Sequence, residues 1–196
     1  MSKVKISGVS RLEEADMLSA LRPDYVGFVF DRRAPESISP ELASLICNRL
    51  HPAVRKAGVF VNVTLAEIEQ VVKLTGIDLI QLTGAETAFF ISQLKLEVWK
   101  TVSLAERPDR LALSAFNVPL AVSYDTLLLP DAVNSLLPFI EYPGVVLSGG
   151  VTVETAKAAQ KMLPLYAVDV REAVKGADGF LDRDKCKAFL QAVRGY

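Results

Sequence analysis

Histidine and cysteine are scarce in this chain of 196 residues, which has one histidine, His51, and two cysteines, Cys47 and Cys186. The cysteines fit no metal-ligand spacing and fall in two predicted helices far apart along the chain. We therefore expect two reduced thiols, no structural disulfide and no metal site.

Long apolar runs and an excess of one charge are also missing. No apolar run approaches the roughly 18 residues of a membrane span, and the first three residues lead directly into a predicted strand, so we expect a cytoplasmic protein. The net charge of -1 gives no basic field for nucleic acid or an anionic membrane. Hydrophobic residues make up 51% of the chain, enough for a large buried core.

Strand-like and helix-like segments alternate along the chain. The strand candidates are short, rich in β-branched and aromatic residues and apolar on both faces, as buried parallel strands are; they are 4–9, 25–30, 56–61, 79–82, 98–103, 120–124, 145–147 and 166–170. The amphipathic helix candidates are 12–21, 40–50, 65–74, 88–94, 107–115, 130–139, 153–162 and 183–193. Ser39 with Pro40, Thr64 and Thr152 are expected to begin three of these helices.

This alternation predicts an α/β fold, a (β/α)₈ barrel with short loops that forms one domain over 1–196. A doubly wound open sheet is the alternative, because periodicity alone does not exclude it. A dinucleotide-binding fingerprint is absent, since Gly149 and Gly150 are followed by Val-Thr-Val and not by the required glycine spacing.

In such a barrel, chemistry collects at the carboxyl ends of the strands and in the loops that follow them. Pairs of polar residues at alternate positions are expected to point inward there; they are Lys5 with Ser7, Gln81 with Thr83, Ser123 with Asp125, and Asp169 with Arg171. His51 follows the second helix and is assigned to the opposite face, away from catalysis.

Several of these residues have a structural alternative. An inward lysine needs an anionic partner, so Lys5 binds either a ligand or Asp169, and in the second case it is structural. Gly149 and Gly150 precede a helix whose first amides favour an anion, although glycine at such a turn is often only conformational. Asp125 can equally cap the turn that follows it.

Blocks along nearly the whole chain resemble phosphoribosylanthranilate isomerases, enzymes of tryptophan biosynthesis. Residues 4–8, Val-Lys-Ile-Ser-Gly, are similar to the Lys-Ile-Cys-Gly of the family's first strand, and 80–84, Ile-Gln-Leu-Thr-Gly, to its Val-Gln-Leu-His-Gly. Residues 147–152, Leu-Ser-Gly-Gly-Val-Thr, are similar to its Leu-Ala-Gly-Gly-Leu-Thr. Further similar blocks lie, in family order, at 27–30, 34–40, 58–62 and 168–170.

The resemblance implies a barrel that performs an Amadori rearrangement of an aminoaldose phosphate to an aminoketose, without cofactor or metal. A general acid, which the resemblance places at Asp125, protonates the ribose ring oxygen. A general base, which it places at Ser7, then removes a proton from the adjacent sugar carbon. The family has cysteine at that position, and a serine hydroxyl is a far weaker base than a thiolate unless a neighbour activates it.

Other positions depart from the family pattern. Glu36 replaces the arginine that holds the anthranilate carboxylate. Arg32 or Arg33 could substitute for it from a shifted register, but a solvated loop charge is the expected alternative for both. Residues 171–173, Arg-Glu-Ala, replace the Ser-Ser-Gly of the final phosphate-binding turn, and the glycine-rich loop after strand six is missing. The phosphate contacts that remain are Gly149 and Gly150, with Arg171 as an additional charge.

Three functional hypotheses follow. The first is a divergent, impaired phosphoribosylanthranilate isomerase that binds a phosphorylated sugar amine. The second is a catalytically inactive family member that binds a phosphate ligand or acts as a regulatory protein. The third is an enzyme for another phosphorylated small molecule, which uses Lys5, Asp125 and Arg171 in new roles. A monomer is the default expectation, because the exposed faces have no long apolar stripe.

Overall fold

Eight parallel strands form a closed barrel, in which each strand pairs with its neighbours in chain order and β8 returns to β1. The structure is a computed structural model and describes residues 2–104, 113–123, 139, 142 and 144–195. The strands are β1 (Lys3–Ser7), β2 (Tyr25–Val29), β3 (Arg55–Phe60), β4 (Leu79–Leu82), β5 (Glu97–Ser103), β6 (Leu120–Ser123), β7 (Val145–Ser148) and β8 (Ala167–Val170). The predicted barrel is confirmed, and each strand lies within a residue or two of its predicted place.

Helices surround this barrel. Those in the described part of the chain are α1 (Leu12–Leu21), α2 (Pro40–Arg49), α3 (Leu65–Thr75), α4 (Ala88–Ser92), α5 (Val153–Met162) and α6 (Arg183–Arg194), with a short 3₁₀ helix at Glu172–Val174. The predicted helices over 107–115 and 130–139 lie mostly outside the described residues. None of the helices among the described residues is long and apolar enough to cross a membrane.

Side-chain caps fix the first turns of three helices, α2, α3 and α5, as the sequence predicts. The Ser39 hydroxyl accepts a hydrogen bond from the Leu42 amide, and Pro40 occupies the first helical position. Thr64 makes a reciprocal pair of bonds with Glu67, and Thr152 caps α5. Helix α5 therefore begins immediately after the loop that leaves β7, close to the carboxyl ends of the strands.

Two apolar layers hold the barrel together. The outer one packs the helices against the strands, and the inner one fills the barrel near the amino ends of the strands around Trp99. The rings of Tyr25 and Tyr166 meet Trp99 edge-on, with centroids 4.9 and 6.0 Å away. Below them Arg55 donates to Glu97 at 2.7 Å. The amino-terminal half of the interior is thus filled by side chains, and open space lies above them.

Both cysteines are buried in the outer layer, Cys47 on α2 and Cys186 on α6, and both are free thiols. Burial raises the pKa of Cys47 to about 11 and that of Cys186 to about 12. Because the thiolate is the reactive form, we expect neither cysteine to react with a disulfide reagent at pH 8 in the native protein, and both to react after denaturation. Leu45→Cys, which places a thiol at an exposed position on α2, is the matched positive control. Rapid labelling of the native protein would contradict the burial of these helices.

Candidate active site

A pocket of about 370 Å³ opens at the carboxyl ends of the strands. Its floor is formed by polar side chains that point into the barrel, namely Lys5, Ser7, Gln81, Thr101 and Asp169. Its rim comes from the loops after β2, β7 and β8. This is the end of the barrel where the sequence predicts the chemistry, and residues from all four predicted strand ends contribute to it.

Lys5 lies at the centre of the floor with no exposed surface. Its Nζ donates to Ser7 Oγ at 2.6 Å, to Gln81 Oε1 at 2.7 Å and to Asp169 Oδ2 at 2.8 Å. Burial lowers the pKa of Lys5 from its usual value, and the Asp169 carboxylate opposes that shift. Three acceptors match the three hydrogens of an ammonium group, so this geometry suits the charged form. Lys5 therefore pairs with Asp169, the internal partner that the sequence offers as the alternative to a ligand.

Ser7 stands beside this ion pair. Its hydroxyl donates to Asp169 Oδ1 at 2.6 Å while it accepts from Lys5 Nζ. Gly27 of the neighbouring strand leaves the space for both side chains, because a Cβ there would lie 2.6 Å from Ser7 Oγ and 3.0 Å from Lys5 Nζ. Ser7 is thus connected to a carboxylate that can take its proton and to a cation that can stabilise negative charge on its oxygen.

Gln81 extends the floor across the barrel. Its Oε1 accepts from Lys5 at 2.7 Å, and its Nε2 donates to Thr101 Oγ1 at 3.1 Å. The amide orientation follows from these two bonds, because the opposite orientation would place an NH₂ group against the ammonium. Gln81 therefore holds Lys5 in place from the side opposite Asp169.

Arg171 spans one side of the rim. Its aliphatic stem lies over Gly8, at the end of β1, and its guanidinium donates to Glu36 Oε1 at 2.5 Å. The same guanidinium pairs with Glu172 at 3.0 Å, and Glu172 also pairs with Lys175. Arg171 thus links the loop after β8 to the loop after β2, and its charge is shared between two carboxylates.

The described lining contains four carboxylates, Asp31, Glu36, Asp169 and Glu172, against two cations, Lys5 and Arg171. Both of these cations already have carboxylate partners. Among the described residues, therefore, the pocket offers an anion no cation that is without a partner.

The diglycine turn is the part of the rim best suited to an anion. Gly149 and Gly150 have φ values of 69° and 37°, both in the left-handed region that favours glycine. They line the pocket and lead into α5 through Thr152. The Thr152 hydroxyl accepts a hydrogen bond from the Thr155 amide, so one of the amides in the first turn of α5 is already bonded. The turn and the remaining amides of this helix still favour negative charge.

Other predicted residues lie elsewhere. Arg33 lies at the outside of the loop after β2, where its guanidinium pairs with Asp31 at 2.9 and 3.1 Å, and it does not line the pocket. His51 lies after α2, before the amino end of β3, and its Nδ1 accepts from the Ala53 amide. Asp125, predicted as the general acid, falls outside the described residues.

Sequence reasoning did not single out Thr101 and Asp31. Thr101 shares the two-residue period of Trp99 on β5, so its inward direction follows from the rule that found Gln81. Asp31 lies in a loop, where no periodicity applies. Among the residues that the structure describes, no group of histidine, cysteine, aspartate or glutamate is arranged to hold a metal ion.

Known proteins resemble this chain over its whole length. A family model described as N-(5'-phosphoribosyl)anthranilate (PRA) isomerase matches residues 4–192. Among curated relatives, the N-(5'-phosphoribosyl)anthranilate isomerase of Caldanaerobacter subterraneus is 32% identical, with 100% of this chain and 99% of the relative covered. That of Herminiimonas arsenicoxydans is 34% identical, with 98% and 93% covered.

Solved structures give the same result. The phosphoribosylanthranilate isomerase of Thermotoga maritima has a TM-score of 0.89 and 31% identity, with both chains covered in full. A structure of this enzyme type in complex with reduced 1-(o-carboxyphenylamino)-1-deoxyribulose 5-phosphate gives the same score, identity and coverage. The ligand of that complex has a phosphate at one end and a benzoate carboxylate at the other.

Proposed function

Because the chain belongs to the phosphoribosylanthranilate isomerase family, we propose that it rearranges an N-phosphoribosyl amine to the corresponding aminoketose, and that it does so slowly. The observation that carries this proposal is the position of Ser7, at the floor of a strand-end pocket and in contact with both Lys5 and Asp169. We place this activity in the cytoplasm, in a monomer of one domain.

The proposed reaction begins with opening of the ribose ring. A general acid protonates the ring oxygen, the bond from that oxygen to the first sugar carbon breaks, and an iminium forms between that carbon and the amine nitrogen. Asp125 is proposed for this role from its place after β6. A carboxyl whose pKa is raised by burial can act as such an acid near neutral pH.

The second step removes a proton from the adjacent sugar carbon. As that C–H bond breaks, its electron pair forms the enamine, and the proton goes to Ser7 Oγ. The original Ser7 proton passes along the 2.6 Å hydrogen bond to Asp169 Oδ1. Lys5 stabilises negative charge that develops on Ser7 Oγ during this transfer. Asp169 is then the final acceptor and Ser7 the relay. The enaminol becomes the aminoketose when its hydroxyl loses a proton and the first sugar carbon gains one.

This relay is expected to be weak. The Ser7 hydroxyl gives up its proton far less readily than a thiol, and His51, which could activate it, is bonded to the Ala53 amide away from the pocket. A well-placed general base contributes about 10²–10⁴-fold to rate, and we expect most of that factor to be lost relative to a family member with cysteine at this position.

For the sugar phosphate we propose the turn at Gly149 and Gly150, with Arg171 close by. The left-handed backbone of the two glycines and the start of α5 support this assignment. The pairing of Arg171 with Glu36 and Glu172 weakens it, because the phosphate must compete with two internal carboxylates.

The test is to supply purified protein with phosphoribosylanthranilate and follow product formation, and to express the gene in a tryptophan auxotroph that lacks this step. We expect slow conversion that a competitive reduced product analogue inhibits, and partial rescue of growth. The protein with Ser7→Ala is the matched control and should lose the activity. No conversion and no rescue, by the native protein or by its Ser7→Cys variant, would refute the proposal.

A second candidate function is favoured by the side chain at position 7. A hydroxyl bonded to Lys5 and Asp169, where the family has a thiol, suits a family member that binds its ligand without turning it over, as a binding or regulatory protein. Binding of the reduced analogue without turnover, together with no gain in Ser7→Cys, would select this function.

A further inference from the structure

The side of the pocket formed by the loop after β2 is acidic. Asp31 and Glu36 line it, whereas Arg32 and Arg33 of the same loop are exposed and do not. The Arg33 side chain is 73% exposed, and its guanidinium pairs with Asp31 without lining the pocket. A ligand group on this side of the pocket therefore meets two carboxylates, Asp31 paired with Arg33 and Glu36 paired with Arg171, while no arginine of this loop lines the pocket.

Glu36 is held in this position from across the rim. Its side chain is only 11% exposed, and its Oε1 accepts from Arg171. Arg171 is in turn held over Gly8 and paired with Glu172. Among the described residues, the second oxygen of Glu36, Oε2, has no hydrogen-bond partner. One oxygen thus fixes the carboxylate, and the other remains available to a hydrogen-bond donor.

A ligand carboxylate on this side would have to displace Glu36 from Arg171 or lie beside Glu36 as a second anion. Like charges this close, in a partly buried site, oppose binding strongly. A neutral aromatic ring meets no such opposition, since Val29, Val59 and Val61 also line the pocket. An ammonium or amidine group gains a charge-assisted hydrogen bond to Glu36 Oε2.

We infer that the preferred substrate is a phosphorylated sugar amine whose amine half is neutral or cationic and carries no carboxylate. This inference rests on the proposed function, because it takes the phosphorylated sugar from it. The diglycine turn holds the phosphate, and Glu36 determines which amine can occupy the side of the pocket after β2. Phosphoribosylanthranilate, whose amine half carries a carboxylate, is then a substrate that binds more weakly.

The experiment measures calorimetric binding of three unreactive 1-arylamino-1-deoxypentitol 5-phosphates at pH 7.5 and low salt. Their aryl groups are phenyl, 2-carboxyphenyl and 2-(aminomethyl)phenyl, so that only the charge at one end changes. We expect the carboxyphenyl compound to bind at least about tenfold more weakly than the phenyl compound, and the aminomethyl compound to bind most tightly. In Glu36→Gln, which removes the charge and retains the shape, the three affinities should converge to within about threefold.

Glu69→Gln, at an exposed position on α3 away from the pocket, is the charge-matched control and should keep the native order. Binding of the carboxyphenyl compound as tight as that of the phenyl compound by the native protein would overturn the inference and leave the proposed function intact. An unchanged order in Glu36→Gln would overturn the role given to Glu36. If none of the three compounds binds at millimolar concentration, the sugar-phosphate proposal itself fails.

Discussion

Ser7→Cys is expected to raise the turnover of phosphoribosylanthranilate by about 10²-fold or more, with little change in KM. A thiol ionises near pH 8.5, so a usable fraction is thiolate at neutral pH, and the Lys5 ammonium 2.6 Å from the present Oγ would increase that fraction. The thiolate would take the proton from the sugar carbon directly, without relying on Asp169. Steady-state kinetics from pH 6 to 9 would measure the gain and locate the new ionisation.

Ser7→Ala is the matched control for this result. It removes the proton relay and leaves Lys5 and Asp169 paired, so the residual rate should fall to background while the fold is retained. Turnover that is undiminished by alanine, or unchanged by cysteine, would mean that a different group accepts the proton. The Ser7 relay would then be wrong even if the protein is an isomerase.

Lys5→Met is expected to lower the free energy of unfolding by about 3–5 kcal/mol. It leaves the Asp169 carboxylate buried, 6% exposed, without its cation, and it also removes the donor to Gln81. Breaking a buried pair from one side is costly because the remaining charge has lost its water and keeps only the Ser7 hydroxyl as a side-chain donor. Urea denaturation, with the slope checked for two-state behaviour, measures the loss.

Arg49→Met provides the surface comparison for this experiment. Arg49 pairs with Asp16 where both side chains are about half exposed, at 46% and 63%, so its loss should cost no more than about 1 kcal/mol. The double variant Lys5→Met with Asp169→Leu should recover part of the Lys5→Met loss, because no unpaired charge remains. Equal effects of the two single variants would contradict the structural importance given to the Lys5–Asp169 pair.

The fold was predictable because its signals are local. Short strands that are apolar on both faces and helices with Ser or Thr caps recur along the chain, and each predicts its own element without knowledge of the others. Helix α4 shows the limit of that reasoning. Its apolar pattern extends over 88–94, but the helix ends at Ser92, and the Gln93 and Leu94 amides make tighter three-residue turns instead.

The site was predictable only in part, because only some of its contacts follow from local patterns in the sequence. The two-residue period of β1 and β8 brings Lys5, Ser7 and Asp169 inward, and a buried lysine requires an anionic partner, so their contact follows from the sequence. The contact of Arg171 with Glu36 does not follow. It joins two loops that are 135 residues apart in the chain, and the conformation of each loop depends on packing that no local pattern encodes.

The glycine at position 27 affects how easily this pocket can change by mutation. A Cβ at position 27 would lie 2.6 Å from Ser7 Oγ, so glycine there spares the side chain at position 7 a clash from the neighbouring strand. Most serine codons become cysteine codons through one base change. Evolution could therefore place a thiol at position 7 in a single step, whereas the paired charges of Arg171 and Glu36 would have to change together.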